Sequence, residues 1–343
     1  MTGRSRPSGQ NFTTPSKKAA RQGILKSPTA KQSSDSPAAN SVQGGIERFS
    51  DLKARRAREH WLDRVASFEE LEVDYDSHDG ILWCHMDPKD RPSVTQGLVR
   101  EGRELQGAVK GLFGALAPDE EAPIRYMVWC SKVPGVFNLG GDLRLFAQLI
   151  RDNNRDGLID YAVNCIDVVF GNIVSLDLPV LTVSLVEGDA LGGGFEKALS
   201  TNVTIAERGA RFGLPEVLFG LFPGMGAYSL IARRLGAAKA KRMVMSGRIF
   251  SADELFELGL IDLVVEDGQG REAVYDFISQ NNRRHAAVRA IHQVEQRVQP
   301  LTYEEMHDIA LLWVDTAMTL DEANLKKMER LAAAQDRRRA VRG

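Results

Sequence analysis

The chain has 343 residues, 43% of them hydrophobic and 26% charged, with 44 Lys and Arg against 46 Asp and Glu. That apolar share suffices for a packed core, and a formal charge of −2 argues against nucleic acid as the partner of the whole molecule. No run approaches the ~18 uninterrupted apolar residues of a membrane helix, and the opening MTGRSRPSGQ lacks the apolar segment of a secretory leader.

Three cysteines, Cys84, Cys130 and Cys165, stand far apart, which is neither a zinc framework nor a disulfide scaffold. The expected setting is reducing and the expected localisation cytoplasmic, with no membrane or nucleic-acid partner. Residues 1–45 hold seven Lys or Arg against one Asp, with eight Ser and four Pro. Such a segment buries too little apolar surface to offset its ordering entropy. It reads as a disordered basic tail, and an organellar transit peptide is the alternative.

From Ile46 the composition changes, which predicts an α/β core over residues 46–271 and a helical region over 272–343. Both charge signs crowd residues 47–66 around Phe49, Leu52, Trp61 and Leu62, as in a short exposed helix. Leu71, Val73 and Tyr75 alternate with acidic residues, and Asp79-Gly80 turns into Ile81–Met86, a strand pair. Leu98, Leu105, Val109, Leu112 and Phe113 share one helical stripe, and Ile124–Ser131 reads as the next strand. Helices over 143–152 and 157–173 lead to the apolar, β-branched run Leu178–Leu185, a buried strand. Val203–Ala206 is another strand, Ser251 to Glu254 a capping box, Gly259 a helix stop and Ile261–Val265 a last short strand. Beyond about residue 272 the pattern is helical, with Leu311, Leu312, Trp313 and Val314 on one helix and Leu325, Met328 and Leu331 on another. Strands separated by helices give the α/β class.

Several chemistries find no support. The six histidines show no metal-ligand spacing, and the Gly-x-Ser-x-Gly, Walker A and Gly-x-Gly-x-x-Gly motifs are absent. What remains is two glycine-rich segments, Phe137-Asn-Leu-Gly-Gly-Asp142 and Gly188-Asp-Ala-Leu-Gly-Gly-Gly-Phe-Glu196, each following a strand. Either the glycines make tight turns and close packing, or two loops at neighbouring strand ends aim two N–H groups at one oxygen. Glu196 follows the second segment directly, and Glu216 sits in the apolar stretch Phe212-Gly-Leu-Pro-Glu216. A Glu there is either exposed by its turn or held in a dry pocket, where burial raises its pKa toward acid/base work.

These segments, with Pro223-Gly224-Met225-Gly226, resemble the crotonase (enoyl-CoA hydratase/isomerase) superfamily from about residue 68 to 335. The resemblance implies a spiral of repeated ββα units with a C-terminal helical region, assembled as trimers or hexamers. It implies that the N–H groups of Leu139 and Gly193 polarise a thioester carbonyl, with Glu196 and Glu216 as catalytic carboxylates. Within the superfamily, Phe137–Ile150, Gly213–Ser229 and Trp313–Ala317 are most similar to the diffusible-signal-factor synthases. That likeness implies a dehydratase and thioesterase taking a 3-hydroxyacyl chain from acyl carrier protein and releasing a cis-2-unsaturated fatty acid, a quorum signal. The basic tail departs from that pattern.

The expected substrate is a carrier-protein or CoA thioester, with no further cofactor and no metal. Phe195, Leu218, Phe222, Met225 and Trp313 are the expected acyl-binding residues, and the polar loops 137–142 and 188–196 are expected not to line the channel. The alternatives are an enoyl-CoA hydratase/isomerase of fatty-acid metabolism and a non-catalytic regulatory protein that docks a sensor kinase.

Overall fold

The computed structural model describes residues 67–117 and 120–342, together with Trp61 and Val65. The expected basic tail and the rest of the charged segment 47–66 lie outside the described residues. Trp61 and Val65 are buried rather than exposed, Trp61 meeting Tyr75 edge-on at 6.4 Å between ring centres.

The larger sheet starts with the antiparallel pair β1 (Leu71–Asp76) and β2 (Ile81–Met86). Parallel to β2 run β3 (Tyr126–Ser131), β5 (Leu181–Val186), β7 (Val203–Glu207) and β10 (Leu263–Val265), in the order β1-β2-β3-β5-β7-β10. Both faces are covered, so alternate residues enter different cores. Met127 and Trp129 of β3 pack with α1 (Gln96–Gly114) and α3 (Arg155–Ile173). Tyr126, Val128 and Cys130 pack with Ala273, Val274 and Ile278 of α8 (Gly270–Asn281). The Leu98, Leu105, Val109 and Leu112 stripe is buried as its spacing predicts, and Thr95 caps α1 by accepting the Leu98 N–H at 3.0 Å.

A smaller sheet holds β4 (Val136–Asn138), β6 (Asp189–Leu191), β8 (Arg211–Gly213) and β9 (Ile249–Ser251) in that order. The first three are parallel, and β9 closes the edge antiparallel to β8. Each of β3, β5 and β7 thus hands the chain to a short strand of this second sheet before a helical segment follows. That is the repeated ββα spiral. Helices α2 (Leu143–Arg151), α4 (Gly193–Leu199) and α5 (Ala227–Leu235) follow these turns.

The chain continues through α6 (Ala237–Ser246) and α7 (Ala252–Glu257), where Ser251 and Glu254 form the expected capping box. After α8 come α9 (His285–Val298), α10 (Tyr303–Ala317) and α11 (Glu322–Arg342). Helix α10 packs on α3 and α11 on α2, the latter contact tied by Arg151 to Glu322 at 2.8 Å and Glu329 at 2.6 Å. The strand expected from Leu178 starts only at Leu181, because Ser175–Asp177 form a 3-10 turn with positive φ at each residue. No helix among the described residues is long and apolar enough to cross a membrane, and no group of three or more metal-ligating side chains is placed to hold an ion.

Candidate active site

The first glycine loop runs from β4 into α2. Asp142 caps that helix, its Oδ1 accepting the N–H groups of Arg144 and Leu145, both at 3.2 Å, and pairing with Arg91 at 2.6 Å. Within the loop, the Leu139 N–H donates to the Pro92 carbonyl at 2.7 Å and the Gly140 N–H to Asn138 Oδ1 at 2.8 Å. The assignment of Leu139 as a carbonyl-polarising donor is therefore corrected: its N–H is already engaged. Gly141 lines the cavity described below, and its N–H has no acceptor among the described residues. The pairing of Val94 with Gly141 sets this orientation.

The second loop runs from β6 into α4. Gly193 opens that helix and lines the same cavity, so its N–H has no carbonyl one turn earlier to receive it. A Cβ on Gly194 would lie 2.1 Å from the Asn138 carbonyl oxygen, so only glycine permits the two loops to touch. Tight packing and exposed N–H groups are here one arrangement. Gly141 and Gly193 present unengaged donors from two adjoining loops, the layout that stabilises an oxyanion.

Glu196, on α4, is buried, and its Oε1 accepts the N–H groups of Met225 at 2.8 Å and Ala227 at 3.0 Å. Burial pushes its carboxyl up to about 7, against the pull of those two donors. Glu216 lies in the 3-10 turn Pro215–Phe219, and its Oε2 is buried without a hydrogen-bond partner among the described residues. Burial, and then the charge of Glu196, push this carboxyl up to about 8. Two carboxyls that feel each other in a dry site do not both ionise readily near neutral pH, so the pair offers one acid and one base together.

Both carboxyls open on one cavity of about 280 Å³ with mostly apolar walls. Leu218, Phe222, Met225 and Trp313 line it. Phe195 does not: it points into the core against Phe212, with ring centres 5.3 Å apart. Neighbours on a helix diverge by about 100°, so Phe195 and Glu196 cannot face the same way. The glycine loops do line the cavity, through Leu139, Gly140, Gly141, Leu191, Gly192 and Gly193, because their backbone and leucines form its wall. Two aromatics escaped sequence reasoning. Phe146 stands edge-on between Tyr161 and Trp313, 5.0 Å from each, and all three are in the wall. The inward stripe of α2 contains Phe146, but periodicity says only that it is inside, not that a cavity lies there.

Residues 108–326 match the family described as Enoyl-CoA hydratase/isomerase. The chain belongs to this family. It is 31% identical over 208 residues to the probable enoyl-CoA hydratase 2, mitochondrial, of Arabidopsis thaliana, a match covering 61% of this chain and 64% of that one. It therefore spans under two thirds of that relative. It is 28% identical over 238 residues to the mitochondrial methylglutaconyl-CoA hydratase of Rattus norvegicus, covering 68% of this chain and 73% of that one. The crystal structure of enoyl-CoA hydratase from Bacillus halodurans superposes with a TM-score of 0.63 at 21% identity, covering 77% of this chain and all of that one. The fold of the family member described here is thus the crotonase spiral.

Proposed function

We propose that this chain dehydrates a 3-hydroxyacyl thioester and then hydrolyses it, releasing a cis-2-unsaturated fatty acid that serves as a quorum signal. The observation that carries the reading is the buried pair Glu196 and Glu216, each held above the ordinary carboxylate range in one apolar cavity. Removing the C2 proton beside a thioester puts negative charge on the carbonyl oxygen. N–H donors placed as Gly141 and Gly193 are would stabilise that charge, each worth roughly 3–4 kcal/mol. One carboxylate accepts the C2 proton while the other carboxylic acid gives its proton to the departing 3-hydroxyl, which leaves as water. A carboxylate next to the same carbonyl then activates a water for thioester cleavage. The apolar wall of Phe146, Leu218, Phe222 and Trp313 suits a fatty chain.

The donor in this reading is acyl carrier protein, in a cytoplasmic setting, and a sensor kinase is a further partner. In its support, exposed Lys239, Lys241 and Arg242 lie on α6, just before the cavity-lining Gly247 and Ile249. Leu218 and Ile249, exposed and in the cavity wall, give the cavity an apolar edge, and the basic residues precede it in sequence as charges suited to an acidic carrier. A trimer or hexamer is the proposed assembly. The second reading, an enoyl-CoA hydratase, is favoured by the names of the Arabidopsis and rat relatives.

Mass spectrometry of products from a 3-hydroxyacyl carrier-protein thioester, with the CoA thioester run in parallel, separates the two readings. Free 2-enoic acid is the expected product. An enoyl thioester with no free acid would establish the hydratase instead, and no conversion of either donor would leave a binding protein.

A further inference from the structure

Lys197 is the one buried charged residue of α4 that the chemistry above leaves without a task. It is 7% exposed, and among the described residues no carboxylate and no hydrogen bond offsets its burial. Its ammonium nitrogen sits over the Trp129 ring, 3.3 Å from the centroid. Burying a lysine this way costs stability, since an apolar side chain of the same length would fill the space without desolvating a charge.

Its position in the helix gives that cost a use. Lys197 follows Gly193 by four residues, so the two share one face of α4. Helical side chains lean toward the N-terminus, which carries the lysine back over the turn that presents the Gly193 N–H. Gly193 has no side chain to stand between them. Lys197 and Gly193 also line one small cavity of about 30 Å³, and Gly193 and Met225 line both it and the cavity of the two carboxyls. The surrounding groups do not compete for the charge. From α1 come Leu98, Val99 and Gly102, and from α3 Val168, Val169 and Cys165. Burial holds the thiols of Cys165 and of Cys84, on β2, far above their ordinary range and so neutral. The nearest acid in sequence, Glu196, diverges from Lys197 by about 100° around the helix, and its Oε1 accepts the N–H groups of Met225 and Ala227.

We propose that Lys197 is a positioning residue whose ammonium, set behind Gly193, adds positive potential at the thioester oxygen held by the Gly141 and Gly193 N–H groups. The inference rests on the reading of this cavity as a thioester site. Lys197 touches no reacting atom. It acts through a low-dielectric layer, where a charge without a counter-ion reaches further than it does in water. Burial also lowers its pKa to about 7, so the ammonium is present below that pH and lost above it, unless negative charge at the thioester holds the proton in place.

The test is the carbonyl carbon resonance of a bound 2-enoyl-CoA labelled with 13C at that carbon, read in the wild-type protein and in Lys197→Met across the neutral pH range. The wild-type signal should lie downfield of free ligand and relax upfield as pH rises through about 7. In Lys197→Met the shift should be smaller, with only the pH dependence that the Glu196 and Glu216 pair imposes left in it, with kcat down on the order of 10–100-fold, KM unchanged and the melting temperature equal or higher. Lys197→Gln, a second neutral variant, should behave the same way. A wild-type carbonyl shift retained in both variants at full kcat overturns the role of Lys197 alone. A ligand that binds the wild-type protein with no carbonyl shift overturns the thioester reading and this inference with it.

Discussion

Oε1 of Glu216 occupies the space where a side chain on Gly192 would begin: a Cβ there would lie 2.7 Å from it. Gly192 also has φ +52 and ψ −127, a region that L-residues avoid. One glycine therefore both turns the second loop and leaves room for the third-turn carboxyl. Gly192→Ala should lower stability by about 1–3 kcal/mol from backbone strain and should also displace Glu216. The expected result is a melting temperature reduced by several degrees together with near-complete loss of dehydration. A variant with reduced stability but full turnover would show that Glu216 needs no such clearance.

Glu196→Gln and Glu216→Gln should each fold, because the amide is nearly isosteric, and each should lose about 10²–10⁴-fold in dehydration rate. Their effects should not add, since acid and base act in one step. Steady-state kinetics of both single variants and the double variant decide this, and turnover near the wild-type level in either single variant removes that residue from the chemistry.

The pH dependence of stability has a definite sign. Both carboxyls are raised, so between about 4.5 and 8 the folded chain keeps protons that the unfolded chain releases. Stability from this pair is full below that window and falls as pH rises through it, by about 1.4 kcal/mol per pH unit per proton. Lys197 runs the other way, its burial costing most below about pH 7 and progressively less above. Scanning calorimetry between about pH 5 and 8 should show Glu216→Gln with a flatter decline in melting temperature than wild type. Equal slopes would mean that Glu216 titrates as an ordinary carboxylate.

Trp313 and Phe195 give opposite predictions. Trp313 is both packed against Phe146 and part of the cavity wall, so Trp313→Leu should shift the preferred acyl chain toward greater length. Each methylene newly accommodated is worth about 0.8 kcal/mol. Phe195→Leu removes core volume beside Phe212 and should cost roughly 1–3 kcal/mol of stability with the length profile unchanged. Product release over a series of 3-hydroxyacyl thioesters, with melting curves for both variants, makes the comparison. A length profile that moves in Phe195→Leu and not in Trp313→Leu would reverse the assignment.

Much of the site was legible in sequence because its groups sit next to strong local signals. Glu196 follows three glycines, and Glu216 follows a proline inside an apolar run, so both stand out by composition. Gly141 does not, because the direction of its N–H is set by a pairing with Val94 that no local pattern announces. Leu139, in the same loop, is just as illegible, because the Pro92 carbonyl that takes its N–H lies far back along the chain. The longer strands β2, β3 and β5 declared themselves by apolar runs. The three-residue strands β4 and β6 are too short for a period of two to register, so only the ββα spiral that the resemblance implies points to a second sheet. Tyr161 and Phe146 belong to different helices, and only tertiary packing makes them a wall.

The stepwise passage of the chain between two sheets has a consequence for how such a molecule tolerates change. Gly141 comes from the first turn of the spiral, Gly193 and Glu196 from the second, and Glu216 from the third, so the groups around the cavity sit at successive threads of one screw. Extra residues in an outer connection, such as the stretch between α1 and β3, lengthen a loop without moving any thread relative to the next. A single residue inserted in β6 would slip its register against β4 and β8 and carry Gly193 and Glu196 out of line with both neighbours. The outer connections are free to drift in length, while the small inner sheet keeps the tolerance of a machined part.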